Sequence, residues 1–206
     1  MNVLLINGSP HEKGCTYTAL SLIAGELNKA GIDTEILHVG GKPVGGCIGC
    51  GGCRSGNGCV FGGVVNEAIE KAKTADGFVF GSPVHYASAS GNMTSFMDRL
   101  SYAGGKYLAY KPAAICCSAR RAGTTTTLDQ LVKYPEFFHM PLVSGSYWPM
   151  VHGSNPEQVL QDEEGCAVMK ELGRNMAWLL QCIEAGKAAG ISHPENPRRP
   201  MTNFIR

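Results

Sequence analysis

The sequence predicts an α/β protein: a three-layer, doubly wound fold on a five-stranded parallel sheet. Two observations carry this. Short apolar runs alternate with segments of helical periodicity five times over, which is the pattern of crossover βαβ units. No internal repeat and no linker interrupts the alternation, so residues 1–206 are expected to form one domain. In such sheets ligands settle beyond the carboxyl ends of the strands, where the strand order reverses.

The elements follow in order. Val3–Ile6 reads as a buried strand that ends in Asn7-Gly8-Ser9-Pro10. Thr16–Lys29 places Leu20, Ile23, Ala24 and Leu27 on one helical stripe, and Ile32–Val39 is a second strand. Val64–Ala75 suits a helix, and Gly77–Gly81 a third strand stopped by Ser82-Pro83. Gly91–Tyr102 carries Met93, Phe96, Met97 and Leu100 on one face, Pro112–Cys117 is a fourth strand, and Thr125–Tyr134 a short helix. A fifth strand is expected within Phe137–Tyr147, interrupted by Pro141. From Pro156 to about Lys187 the pattern is helical, with Ser154 and Glu157 as a capping box and Gly165 as a point of division. The tail from about 190 to 206 contains Pro194, Pro197 and Pro200 and should be extended, with Phe204 and Ile205 as anchors.

Composition removes several classes of function. The net charge is +1, which asks for neither nucleic acid nor a membrane surface as partner. No apolar run approaches the roughly 20 residues of a membrane span, and the N-terminus lacks a basic region and a signal-like apolar core. A cytoplasmic location follows as the expectation. Nine cysteines, clustered rather than evenly spread, then point to metal or redox chemistry rather than a disulfide framework.

Three strand-end loops hold the polar chemistry. The first, Gly8–Thr18, sets the hydroxyls of Ser9, Thr16 and Thr18 beside a helix amino end, an anion site suited to phosphate. It is neither a P-loop nor a dinucleotide fingerprint. The second, Ser82–Asn92, mixes His85 and Tyr86 with small residues and suits a flat ring lying against backbone. The third, Cys117–Thr124, carries Arg120 and Arg121, either an ordinary solvated pair or a pair that meets an anionic ligand or the negative charge of a reduced flavin. A cysteine-phosphatase signature, a nucleophile elbow and a His-x-x-x-His zinc pair are all absent. A phosphate loop on the first strand and ring-embracing loops on the third and fourth suggest flavin mononucleotide (FMN).

Within Cys47-Ile48-Gly49-Cys50-Gly51-Gly52-Cys53 the thiols recur every third residue, and Cys59 follows closely. Consecutive thiolates at this spacing can wrap one small inorganic cluster, as the bacterial ferredoxin run begins to do. Zinc more often takes two separated Cys-x-x-Cys pairs, and bare redox-active thiols are the remaining alternative. Cys116, Cys117, Cys166 and Cys182 fall on a buried strand and a helix and read as core.

Three motifs together resemble the flavodoxin-like NADPH-dependent FMN reductase family, and among its members the iron–sulfur flavoproteins. They are Gly8-Ser9-Pro10-x-x-x-Gly14-x-Thr16, then Ser82-Pro83-Val84-x-Tyr86-x-x-x-x-Gly91-x-x-x-x-Phe96-x-Asp98-Arg99, and the cysteine cluster between them. The resemblance implies strand order 2-1-3-4-5 with FMN at the carboxyl edge. By position, it assigns Ser9, His11, Cys15, Thr16 and Thr18 to the phosphate. Pro83, Val84, His85 and Tyr86 would line the isoalloxazine, with Ser118, Arg121, Gly123 and Thr124 on its other flank. It also implies Cys47, Cys50, Cys53 and Cys59 as ligands of a [4Fe-4S] cluster in an insertion at about 40–63. Two departures weaken the phosphate clamp: Cys15 stands where the family often has Asn, and His11 where Arg is common.

The expected protein is therefore an FMN-dependent oxidoreductase. It would pass electrons from NAD(P)H or reduced ferredoxin to a small acceptor such as a flavin or quinone, the flavin supplying the chemistry. An electron carrier between ferredoxin and FMN, or a flavin-binding module without turnover, are the rival readings. The open side of a ring bound at strand ends suggests a homodimer or homotetramer, with Tyr147, Trp148, His152 and the tail as contact candidates.

Overall fold

A computed structural model of the chain describes residues 1–196 and Thr202. In chain order the elements are β1 (Asn2–Asn7), α1 (Cys15–Lys29), β2 (Asp33–His38), α2 (Val64–Thr74), β3 (Gly77–His85), β4 (Ser88–Ala89), α3 (Gly91–Gly104), β5 (Ala113–Ala119), α4 (Thr124–Phe137), β6 (Met150–His152), α5 (Pro156–Gln161) and α6 (Glu163–Ala188). The parallel sheet runs β2-β1-β3-β5-β6, and β4 folds back antiparallel on the end of β3. With that short hairpin strand set aside, the order is the expected one, with the switch point between β1 and β3.

Side-chain alternation sorts the strands into two cores, because successive residues of a strand face opposite sides. Leu4, Ile6, Phe78, Phe80 and Ile115 pack beneath α2, α3 and α4. Val3, Leu5, Val79, Ala114 and Cys116 pack against α1 and α6. The helical stripes read from the sequence are the buried ones: Leu20, Ile23, Ala24 and Leu27 on α1, and Met93, Phe96, Met97 and Leu100 on α3. Fully burying each of the larger of these side chains contributes about 1.5–3 kcal/mol.

The structure corrects five expectations. The third strand does not stop at Ser82-Pro83 but continues to His85. β1 ends at Asn7, opposite Gly81, so Pro83 has a neighbour on one side only, Ser118, and its missing N–H is tolerated there. The fifth strand lies at Met150–His152, beyond the expected Phe137–Tyr147. Residues 138–149 touch β5 at one bridge, Ala113 with Leu142, and Pro141 and Pro149 can only accept bonds from Ala113 and Cys117. α4 runs through Pro135 to Phe137 rather than ending at Tyr134. The C-terminal helix is divided at Asp162 rather than Gly165, because the Asp162 carboxylate caps α6 by accepting from the Gly165 N–H at 2.9 Å. Its upstream cap is also displaced by one residue: Asn155, not Ser154, accepts from the Gln158 N–H at 2.9 Å, and Gln158 Oε1 takes the Ser154 N–H at 2.7 Å.

From Ile191 to Asn196, after α6, the chain forms neither helix nor strand. The Tyr110 ring lies between those of His139 and His193, with centroids at 5.3 and 4.3 Å. The expectations for Pro197, Pro200, Phe204 and Ile205 fall outside the described residues. Among the described residues no helix is long and apolar enough to cross a membrane.

Two glycines on the α1–α6 side make opposite predictions. A Cβ on Gly173 would stand 2.6 Å from the Ile23 carbonyl oxygen, so α6 approaches the α1 backbone only without it. Gly173→Ala is expected to cost about 1–3 kcal/mol through overpacking. Gly25 has nothing within 4 Å of that position, so Gly25→Ala is expected to stabilise α1 by about 0.5–1 kcal/mol. Urea unfolding midpoints of the two variants check both signs.

Candidate functional site

The carboxyl edge of the sheet is organised by the loop from β1 to α1. Asn7 Oδ1 accepts from the Ser9 N–H at 3.1 Å, and Asn7 Nδ2 donates to the Glu12 carbonyl at 2.9 Å. Ser9 Oγ accepts from the His11 N–H at 3.1 Å, and the Ser90 hydroxyl donates to the Gly8 carbonyl at 2.8 Å. A ring nitrogen of His38 bonds the Ser9 carbonyl at 2.8 Å. The loop is thus held from both sides, by β2 and by the start of α3. What it presents is the amino end of α1. No side chain caps Gly14, and the first helical bond is Thr18 N–H to the Gly14 carbonyl. The N–H groups of Cys15, Thr16 and Tyr17 therefore have no acceptor within the helix.

The loop after β3 is a two-residue hairpin. Tyr86 and Ala87 take φ of +50° and +59°, the pair of left-handed conformations a type I′ turn demands. Neither residue type favours that region, so the turn is held from outside. Gln130 Oε1 on α4 accepts from Ser88 Oγ at 2.6 Å and from the Ala89 N–H at 3.0 Å. Gly123, at the start of α4, lies so close to Ala87 that a Cβ there would meet the Ala87 Cα at 2.5 Å.

Between these loops lies a cleft of about 290 Å³ lined by Ser9, His11, Cys15, Thr16, Pro83, Val84, His85 and Ser118, with Ala119, Arg120, Gly153 and Ser154. Eight sequence-predicted residues therefore meet in one place. Thr16 and Ser118, both buried, share a hydrogen bond of 2.8 Å that ties α1 to β5. Cys15 Sγ donates to the Gly153 carbonyl at 3.6 Å, and burial raises its thiol pKa. The remaining predicted residues are not part of that lining. Thr18 turns its hydroxyl onto the Gly14 carbonyl at 3.2 Å. Tyr86 is wholly exposed at the hairpin tip, and Arg121 is exposed while its neighbour Arg120 lines the cleft. Gly123 and Thr124 form the start of α4, where the Thr124 carbonyl accepts from Cys117 Sγ at 3.7 Å. Gly153 and Ser154 were missed because they follow a strand that the sequence misplaces.

The cysteine segment lies between β2 and α2. Six of its glycines, at 49, 51, 56, 58, 62 and 63, have φ between +55° and +84°, so the chain turns repeatedly where side chains would be strained. Cys47, Cys50, Cys53 and Cys59 line one cavity of about 290 Å³, together with Phe61, Arg99 and Tyr102. Among the described residues no three Cys, His, Asp or Glu side chains converge on a single-ion site. That is no obstacle to a multi-iron group, whose ligands are spread over separate irons. The segment is pinned at its start by Asn92, which accepts from the Val44 N–H at 3.1 Å and donates to the Gly40 carbonyl at 3.1 Å. At its end, Asn66 accepts from the Cys59 N–H at 2.8 Å. A larger cleft of about 760 Å³ shares Phe61 and Arg99 with the cysteine cavity and reaches Pro10 and Glu12 of the first loop. The core cysteines differ in kind: burial pushes the Cys117 thiol up to about 12, and Cys116 higher still. Cys182 is exposed rather than core.

Comparison with known proteins agrees with this geometry. Residues 1–155 match the model of the NADPH-dependent FMN reductase family, and the chain belongs to that family. It is 29% identical over 193 residues to an iron-sulfur flavoprotein of Methanocaldococcus jannaschii, covering 89% of this chain and all of the relative. It is 24% identical over 198 residues to an iron-sulfur flavoprotein of Methanosarcina thermophila, covering 91% of this chain and 99% of the relative. Among solved structures a flavone reductase superposes with a TM-score of 0.70 at 16% identity, over 89% of this chain and 64% of that one. An archaeal flavodoxin superposes with a TM-score of 0.60 at 13% identity, over 88% of this chain and 99% of that one. Both likenesses establish the flavodoxin-like fold.

The Thr16–Ser118 bond can be isolated. Thr16→Val should cost about 1–3 kcal/mol, because it leaves the Ser118 hydroxyl buried and unpaired. Adding Ser118→Ala should recover part of that loss, and a double-mutant cycle in urea measures the coupling.

Proposed function

We propose that the chain is an FMN-dependent oxidoreductase whose flavin sits in the cleft between β1–α1, β3–β4 and β5. One observation carries the reading: the uncapped amino end of α1, with Ser9, Thr16 and Ser118, opens at the switch point of the sheet. Free N–H groups at a helix amino end with the helix dipole behind them favour a phosphate. On this reading Ser9, His11, Cys15 and Thr16 hold the phosphate side. Pro83, Val84 and His85 lie along one flank of the ring, and Ser118 and Arg120 along the other. When bound, FMN supplies a two-electron acceptor and donor. The protein's part is to fix the ring, exclude water from its buried side and leave the outer side open to reactants. No side chain is required as a general base.

The same reading gives the cysteine cavity a [4Fe-4S] cluster held by Cys47, Cys50, Cys53 and Cys59. The donor set fits, since four thiols line one cavity among glycine N–H groups. The relatives named iron-sulfur flavoproteins support it. A second reading, an electron carrier between ferredoxin and FMN, is favoured by the cleft that runs from this cavity to the flavin loop. The outward-facing flavin cleft and the exposed Tyr147 and Trp148 fit a homodimer or homotetramer.

Anaerobic purification followed by addition of NADH, NADPH or reduced ferredoxin tests the function. A nicotinamide donor is expected to bleach the bound flavin, and a quinone or free FMN to restore its colour. Bleaching by ferredoxin alone would establish the carrier. A preparation that neither retains nor takes up flavin would overturn both.

A further inference from the structure

Arg99, on α3, is the only charged side chain among the buried residues described, with 6% of its surface exposed. Its guanidinium donates three hydrogen bonds, all to the cysteine segment. Nε donates to Cys59 Sγ at 3.2 Å, Nη1 to the Gly45 carbonyl at 3.3 Å and Nη2 to the Gly62 carbonyl at 2.9 Å. The Phe61 ring covers it, with the guanidinium carbon 5.6 Å from the ring centroid. One side chain thus clasps both ends of the segment that carries the four thiols. Among the described residues no carboxylate comes within ion-pair distance. The neighbouring Asp98 accepts from the Tyr134 hydroxyl at 2.7 Å, and Glu67, which lines the adjoining cleft, lies 3.7 Å from Lys71 instead.

A buried cation without a counter-charge is costly, and backbone carbonyls offset only part of that cost. The compensating negative charge is therefore to be sought in the cavity that Arg99 faces, where Cys59 is the sulfur it touches. The geometry points to Arg99 as the built-in counter-cation of the cysteine cavity. It holds Cys59 in place and, through its charge, favours the more reduced state of the cluster bound there. This rests on the cluster reading above. One-electron reduction adds one negative charge to the group, so a fixed positive charge beside a ligand sulfur stabilises the reduced form. Net charge and hydrogen bonds to the sulfurs are among the determinants of such potentials. Arg suits the role better than Lys, because its planar fork serves Cys59, Gly45 and Gly62 at once, while an ammonium is a point charge. Arg99 is a positioning residue: it touches a ligand sulfur and donates no electron.

The test compares wild type, Arg99→Gln and Arg99→Lys, each purified and reconstituted anaerobically. The readouts are iron and labile sulfide per chain and a redox titration of the cluster followed by electron paramagnetic resonance. Arg99→Gln is expected to lower the potential so that the oxidised cluster gains at least about tenfold, which for one electron is about 59 mV. Arg99→Lys should return most of that shift. If Arg99→Gln fails to take up iron, Arg99→Lys decides: near-normal iron and potential support the role of the charge, and loss of iron contradicts it. An Arg99→Gln protein with full iron and an unchanged potential would overturn the inference, as would an Arg99→Lys protein indistinguishable from Arg99→Gln. Wild type that takes up no iron would instead remove the cluster reading on which this rests.

Discussion

Helix α1 begins without a side-chain cap, and the carboxyl edge of the sheet is built around that unmet demand. A helix whose first N–H groups lack acceptors needs water or a ligand to supply them. Here the surrounding contacts fix the loop rather than relieve it. Asn7, Ser9, His38 and Ser90 each spend a hydrogen bond on holding Gly8–Glu12 in place. Thr16 is tied sideways to Ser118, which sets the distance between the helix start and β5. The result is a preorganised set of donors at the point where the strand order reverses.

Much of this was legible because it is periodic. β1, β3 and β5 are apolar on both faces, as strands covered by helices on each side must be. The stripes of α1 and α3 repeat at helical spacing with little interruption. The failures share a cause, which is partners distant in sequence. Pro83 breaks a strand by local rules, yet β3 continues because its neighbour on one side has already ended. Tyr86 and Ala87 lack the Asn-Gly signal of a tight hairpin, and the turn survives on bonds to Gln130, over 40 positions away. Residues 138–149 look strand-like, but two prolines withhold donors and pairing with β5 resumes only at Met150. Gly153 and Ser154 were lost with it.

The cysteine segment shows the same limit from the other side. Its thiols announce themselves by spacing, and all four line one cavity. Arg99 is visible in the sequence only as the last residue of the second motif, 40 positions from Cys59, with nothing there to link it to the thiols. In the fold Asp98 binds Tyr134 and Arg99 turns inward, across 40 residues of sequence, to Cys59. Charge balance in a buried cavity is a property of the tertiary structure, and only there does the arginine acquire a meaning.

The central claim is that the cleft recognises flavin through its phosphate at the start of α1. Two or more charge-assisted hydrogen bonds, each about 1.5–3 kcal/mol, should then separate FMN from riboflavin, which lacks the phosphate. The direct measurement is equilibrium titration of flavin-free protein with each, followed by flavin fluorescence. FMN should bind at least about a hundredfold tighter. Equal affinities, or no binding of either flavin, would contradict the placement of the phosphate and with it the site.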